Sequence, residues 1–229
     1  MRQIAIQGPS AHLHGIDHLR HQLLQAEGVV TYSDLGAGSQ ARGPGTVTRN
    51  IRDLARRSSR TSREGLLLHQ IVRSLQPGIA LELGTHLGIG SLYQASGSPA
   101  CRFITIEGAK ELGELARQHW ALSAIGLQPE LHIGAFDEVL PRLLSSGIRP
   151  DYALIDGNHQ YEPTLRYFDW IFTEMDPGGI IILDDIYWSQ GMKKAWDAIR
   201  RKTGISLAID MYPFGIIQKG PGQCTSWTL

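Results

Sequence analysis

Two stretches of the chain run from apolar into densely polar sequence: "ALIDGNHQYEPT" at 153–164 and "GIIILDDI" at 179–186. Asp156 closes the first apolar run, Asp184 and Asp185 close the second, and His159 follows Asp156 by three residues. A neutral imidazole can take a proton from a substrate hydroxyl near neutral pH, so His159 is the candidate base. Three carboxylates brought together repel one another unless a pKa rises or a cation joins them, and a hard divalent ion such as magnesium suits oxygen ligands. Asp156, Asp184 and Asp185 are therefore the candidate metal ligands. The same residues also allow a plainer role, in which strand-end aspartates cap helices or satisfy loop amides. Tyr161 and Glu162 are expected to begin the next helix, where its dipole favours Glu162. Tyr187 and Trp188 could wall a substrate pocket or simply pack.

A second constellation lies earlier, in "LELGTHLGIGS" at 81–91. Gly84, Gly88 and Gly90 permit backbone conformations and close approaches closed to other residues, and a helix that begins there offers unpaired N–H groups. Glu107 comes 25 residues after Glu82, at the end of the next apolar run, where a carboxylate can accept both hydroxyl hydrogens of a ribose. The order is E-x-G-x-x-x-G-x-G rather than the G-x-G-x-x-G of dinucleotide sites, which counts against a nicotinamide cofactor.

The elements that position these residues are legible from 78 onward. Short apolar runs at 78–83, 102–107, 130–134, 151–156 and 179–184 alternate with amphipathic segments at 109–125, 136–144 and 161–175. Near-continuous apolar strands separated by helices predict an α/β fold with a doubly wound, mostly parallel sheet buried on both faces. Ligands of such sheets lie beyond the carboxyl ends of the strands, which places Glu107, Asp156, Asp184 and Asp185 at one crevice. After a helical segment at 191–202, "ISLAID" and "PFGIIQK" lie too close for a helical crossover and predict a C-terminal antiparallel hairpin at the sheet edge.

In this arrangement the chain resembles the class I S-adenosylmethionine-dependent methyltransferases, and among them the catechol-type, metal-dependent O-methyltransferases. The resemblance runs from "LELGTHLGIGS" through "ITIEGAKELGELARQHW" and "IGAFDEVLPRL" to "ALIDGNHQYE" and "GGIIILDDI", over about residues 64–190. It implies a Rossmann-like sheet of seven strands and S-adenosylmethionine as cofactor. By the same resemblance Gly84 and Gly88 approach the methionine portion, with Thr85, Gly90 and Gly108 in the same loops. Glu107 binds the ribose hydroxyls, Ala135 and Phe136 lie near the adenine, and Glu82 organises the amino end. The family's metal site uses an acid after the fourth strand and an Asp-Asn pair after the fifth; Asp156 and Asp184–Asp185 match it, with an Asp-Asp pair that adds a negative charge. The implied reaction is methylation of a hydroxyl on a small molecule, with Asp156 and His159 in the catalytic machinery.

Residues 1–62 read as an N-terminal helical cap on a domain spanning 63–229. His14, His18 and His21 share helical spacing without a converging ligand set, which favours a solvated face over a metal site. Seven arginines between 42 and 63 stand against one acid, Asp53, and suit either a solvated or interface helix or contact with an acidic substrate. With 22 basic and 22 acidic residues no global field recommends nucleic acid or an anionic membrane. No apolar run has the length of a membrane span, the opening residues lack a signal-peptide core, and Cys101 and Cys224 show no disulfide or zinc pattern. A cytoplasmic protein is expected, with a homodimer left open. Two rival readings stay open here: a Rossmann-type NAD-dependent oxidoreductase, and a cofactor-binding protein without catalysis.

Overall fold

The computed structural model describes residues 11–33, 45–57, 59–123, 125–222 and 224–228. Most of the Gly/Ser-rich stretch at 35–45, with Arg42, lies outside these. The chain opens with α1 (Ala11–Leu24), β1 (Val29–Ser33), β2 (Thr46–Asn50), α2 (Ile51–Arg57) and α3 (Ser62–Leu75). Then follow β3 (Ile79–Leu83), α4 (Ile89–Gly97), β4 (Arg102–Glu107), α5 (Lys110–Leu122), β5 (Glu130–Ile133), α6 (Phe136–Ser145), β6 (Tyr152–Ile155), α7 (Tyr161–Glu174) and β7 (Ile180–Leu183). The chain closes with α8 (Gln190–Ile199), β8 (Ile205–Met211), β9 (Phe214–Lys219) and β10 (Thr225–Thr228).

The main sheet has eight strands in the order β10-β8-β9-β7-β6-β3-β4-β5. β3 to β7 run parallel, whereas β9 is antiparallel to both β7 and β8. Sequence reasoning predicted seven strands; the eighth, β10, joins β8 in parallel register at the edge. Its four residues, TSWT, are all exposed and carry no apolar alternation to announce a strand. The hairpin forms as expected, but β9 lies inside the sheet and β10 covers the outer flank of β8.

The parallel strands are apolar throughout because each face has its own cover. In β6, Tyr152 and Leu154 join Leu68, Leu92 and Trp120 on one side, whereas Ala153 and Ile155 join Leu140, Phe168 and Trp196 on the other. Fully burying one such Leu or Ile contributes about 1.5–3 kcal/mol, so both helical layers are strongly held. The N-terminal segment belongs to the same core: Leu13, Ile16, Leu19 and Leu23 of α1 enter the first cluster, while His14, His18 and His21 lie exposed on the opposite face. It also includes a two-stranded antiparallel sheet, β1 with β2, that a purely helical cap did not anticipate. Among the described residues no helix is long and apolar enough to cross a membrane.

Candidate active site

The winding of the sheet reverses at β3, whose neighbours are β4 on one side and β6 on the other. That is where an open α/β sheet forms a crevice. Backbone bonds hold the strand ends there in register. The Asp156 N–H donates to Leu83 O at 2.9 Å, Gly84 N–H to Ile106 O at 2.9 Å, and Asp184 N–H to Ile155 O at 3.0 Å. Gly84 has φ of 104°, and a Cβ there would collide with the carbonyl oxygen of Asp156. Both facts demand glycine.

Beneath the glycine turn, Glu82 is buried and fully hydrogen-bonded. It accepts from Ser91 Oγ, from Thr105 Oγ1 at 2.7 Å and from Gln94 Nε2 at 2.6 Å. Burial pushes its pKa up against these three donors. Thr85 Oγ1 lies 2.6 Å from Thr105 Oγ1 and extends the network. Glu107 accepts from His86 N at 2.7 Å on one oxygen and from Ala109 N at 2.9 Å on the other. Its pKa is raised by burial, with backbone donors, those of Ala109, His86 and Gly108 among them, acting in the opposite direction. Gly88, with φ of 82°, is the N-cap of α4 and supplies no side-chain cap, which leaves helix N–H groups for a ligand. Gly90 is the second residue of that helix. Ala135 is the N-cap of α6, and the ring of Phe136 packs edge-on to Tyr167, with centroids 5.6 Å apart, over Gly157. These residues fit the expected cofactor.

The acids beyond β6 and β7 fit the expected metal less well. Arg60 Nη2 donates to Oδ2 of Asp156 and, at 2.5 Å, to Oδ2 of Asp184. The Arg60 and Asp184 side chains are 9% and 4% exposed, and that of Asp156 is 25% exposed. Burial opposes the charge on Arg60, yet the two carboxylates outweigh it and hold the guanidinium protonated well above its ordinary range. Asp184 is pushed up to about 7 by burial and by Asp156. Burial likewise raises Asp156, with Arg60 opposing, and raises Asp185, with Asp184 adding to it. Asp184 Oδ1 is buried without a hydrogen-bond partner among the described residues. A divalent ion about 4 Å from the guanidinium would meet repulsion on the order of 8 kcal/mol at an effective dielectric near 20. Among the described residues no group of three or more His, Cys, Asp or Glu side chains converges as a ligand set. The predicted ligands Asp156, Asp184 and Asp185 do adjoin one crevice, but the cation between Asp156 and Asp184 is an arginine.

His159 Nε2 lies 3.8 Å from Asp156 Oδ1. Burial lowers its pKa while Asp185 and Asp184 pull the other way, and the net shift favours the neutral ring. Trp188 stands beside it, with ring centroids 6.4 Å apart and the indole 67% exposed. Tyr187 is drawn away, its hydroxyl donating to Asp210 at 2.8 Å. Tyr161 and Glu162 begin α7 as expected. Asn158, at φ of 60°, shapes the turn, and its Nδ2 donates to Tyr167 at 3.2 Å.

Sequence reasoning missed Arg60 as a member of the site. The signal available was its place directly before Thr61-x-x-Glu64, a capping box that anchors the mouth of α3.

Residues 81–186 match the family described as "Methyltransferase domain". A protein of Mycobacterium tuberculosis named "Probable O-methyltransferase" is 28% identical over 160 residues, 61% of this chain and 67% of its own. A catechol O-methyltransferase of Niastella koreensis is 27% identical over 125 residues, 54% of this chain and 56% of its own. The chain thus spans little more than half the length of the Niastella protein. Among solved structures, the O-methyltransferase from Bacillus cereus in complex with S-adenosylhomocysteine superposes with a TM-score of 0.64 at 18% identity, covering 95% of this chain and 94% of that one. The O-methyltransferase TomG from Streptomyces achromogenes, in complex with S-adenosylmethionine, gives 0.65 at 18% identity, covering 95% and 93%. These two share the fold.

Proposed function

We propose that this chain, a class I S-adenosylmethionine-dependent methyltransferase, methylates a hydroxyl oxygen of a small molecule, with His159 as the base. The observation that carries the reading is His159 itself: a ring kept neutral by burial, at 3.8 Å from Asp156, in the crevice that the glycine turn and Glu107 also border. A base must be neutral to accept a proton, and a carboxylate neighbour stabilises the imidazolium that results.

When bound, S-adenosylmethionine supplies a methyl group on a sulfonium. The chain's residues do the rest. Glu107 accepts the ribose hydroxyls, and the uncapped start of α4 faces the polar end of the cofactor. His159 takes the acceptor's hydroxyl proton on Nε2 as its oxygen attacks. Trp188 offers an exposed face beside that imidazole, suited to a flat or apolar acceptor. Because Arg60 precedes α3 and still reaches Asp156 and Asp184, the described part of residues 1–62 is read as a cap over the domain at 63–229.

Calorimetry with S-adenosylmethionine and with NAD tests the cofactor. Binding of S-adenosylmethionine alone is expected, and binding of NAD alone would sink the reading. Release of S-adenosylhomocysteine with a panel of hydroxylated aromatics then tests transfer, and no release with any acceptor would favour a cofactor-binding protein without catalysis.

A further inference from the structure

We propose that Arg60 is the resident cation of this site: its guanidinium holds the place between Asp156 and Asp184 that a divalent ion would take, and methyl transfer by this chain needs no such ion. The inference rests on the methyltransferase reading for its reaction but not for its geometry.

One nitrogen, Nη2, bonds both Oδ2 atoms, and the two carboxylates come from the ends of adjacent strands, β6 and β7. Those two oxygens are thereby already shared by one cation. The arginine is also built into its position rather than reaching in from solvent. Its carbonyl oxygen accepts from Arg20 Nε at 3.0 Å. The next residue, Thr61, is the N-cap of α3, with Glu64 N–H donating to its hydroxyl at 3.3 Å and its own N–H donating to Glu64 at 3.0 Å. The guanidinium carbon lies 5.3 Å from the centre of the Phe214 ring, a cation–π distance. On the opposite side Gly90 makes room, since a Cβ there would come within 3.2 Å of Arg60 Cγ. Main chain, ring, glycine and two carboxylates therefore fix one rotamer.

The charge arrangement agrees with a single positive charge. Arg60 offsets one carboxylate. An ion of two charges would have to displace a guanidinium that is 9% exposed and held by both carboxylates. Arg60 thereby acts as a positioning residue: it fixes Asp156, whose other oxygen faces His159, and leaves proton transfer to the histidine.

Manganese binding, followed by the paramagnetic resonance signal of free Mn²⁺, tests this without any acceptor. The wild-type chain, with S-adenosylmethionine present, is expected to leave the Mn²⁺ signal unchanged. Arg60→Ala removes the like charge and exposes the acid pair, so its affinity for Mn²⁺ is expected to rise at least about tenfold. Arg60→Lys, which keeps a cation, is expected to behave as wild type. Stoichiometric Mn²⁺ binding by the wild type overturns the proposal, as does a folded Arg60→Ala that binds no better than wild type. Should Arg60→Ala fail to fold, the wild-type and Arg60→Lys titrations decide alone. Chelator is expected to leave S-adenosylhomocysteine release by the wild type unchanged, and abolished release overturns the proposal. Failure of S-adenosylmethionine to bind, measured by calorimetry on the same samples, would instead remove the methyltransferase reading and leave the Mn²⁺ result standing.

Discussion

Replacing Arg60 by methionine keeps most of its stem volume and removes the charge shared by Asp156 and Asp184. Breaking a buried ion pair from one side costs about 3–5 kcal/mol, because the remaining charge is left uncompensated. Here two carboxylates are left, one 25% and one 4% exposed. Asp184 already sits at about 7 with Arg60 present, so the pair can relieve its repulsion by taking up protons. The sign follows from linkage. Without Arg60 the folded-state pKa values of both acids rise further above the unfolded value, and the folded variant binds protons that the unfolded chain does not. Lowering the pH therefore stabilises the variant relative to wild type. We expect a deficit of about 3–5 kcal/mol near pH 8, shrinking by about 1.4 kcal/mol for each pKa unit gained as the pH falls to about 5.5. At this chain length 1 kcal/mol corresponds to about 2–4 °C in Tm, so the deficit near pH 8 amounts to roughly 6–20 °C. Urea unfolding of both proteins at the two pH values measures it. A deficit under about 1 kcal/mol near pH 8, or one independent of pH, would show that Arg60 does not neutralise this pair.

His159→Gln should lower the rate of S-adenosylhomocysteine release by about 10²- to 10⁴-fold while S-adenosylmethionine affinity by calorimetry stays within about twofold. Because burial lowers the His159 pKa, the acid limb of the wild-type kcat/KM profile should fall below pH 6.5, and a limb above that value contradicts a desolvated base. Glu107→Ala removes the proposed acceptor for two ribose hydroxyls, and at about 1.5–3 kcal/mol for each charged hydrogen bond its Kd for S-adenosylmethionine should rise by at least about 150-fold; an unchanged Kd would place the ribose elsewhere. Gly84→Ala combines positive-φ strain of about 1–3 kcal/mol with a collision against the Asp156 carbonyl, so thermal unfolding should show a loss of at least about 3 kcal/mol, and a variant as stable as wild type would mean that the turn readily relaxes.

The strands, the helices between them and the crevice at their carboxyl ends could be read from sequence, because a parallel sheet covered on both faces leaves apolar runs that punctuation by glycine and proline cannot disguise. Glu107, Asp156 and Asp184 were placed at the crevice by the same logic, since they stand at or just beyond the carboxyl ends of their strands, whereas the role of Glu82 came from the family resemblance. Arg60 was not legible, because it stands 96 residues from Asp156 and 124 from Asp184, and no local period connects them. Within its own neighbourhood it is one of seven arginines, and the rule that charge runs face water describes such stretches better than single members of them. Asp185 differs from its neighbour in one respect: its backbone lies at φ of 50°, and among the described residues the donor that Asp156 and Asp184 share is Arg60.

The glycines carry the deeper lesson about how motif and site are joined. Read from sequence they make room for a cofactor, yet in the fold each first makes room for the chain itself. Gly84 admits the carbonyl of Asp156, Gly88 admits the indole of Trp120, and Gly90 admits Arg60 beside Glu82. Through these three approaches the end of β6, helix α5 and Arg60 all close on one loop. Trp120 Nε1 then donates to Gly88 O at 3.0 Å, and His119 Nδ1 lies 3.0 Å from Leu87 O, so the loop's carbonyls are tied back and its helix-start N–H groups are left for a ligand. A crevice assembled by internal packing is preorganised, and the ordering of its walls is complete before a ligand arrives. Arg60 shares in that economy, because Gly90, in the first turn of α4, also leaves the space for the Arg60 stem whose guanidinium reaches both acids.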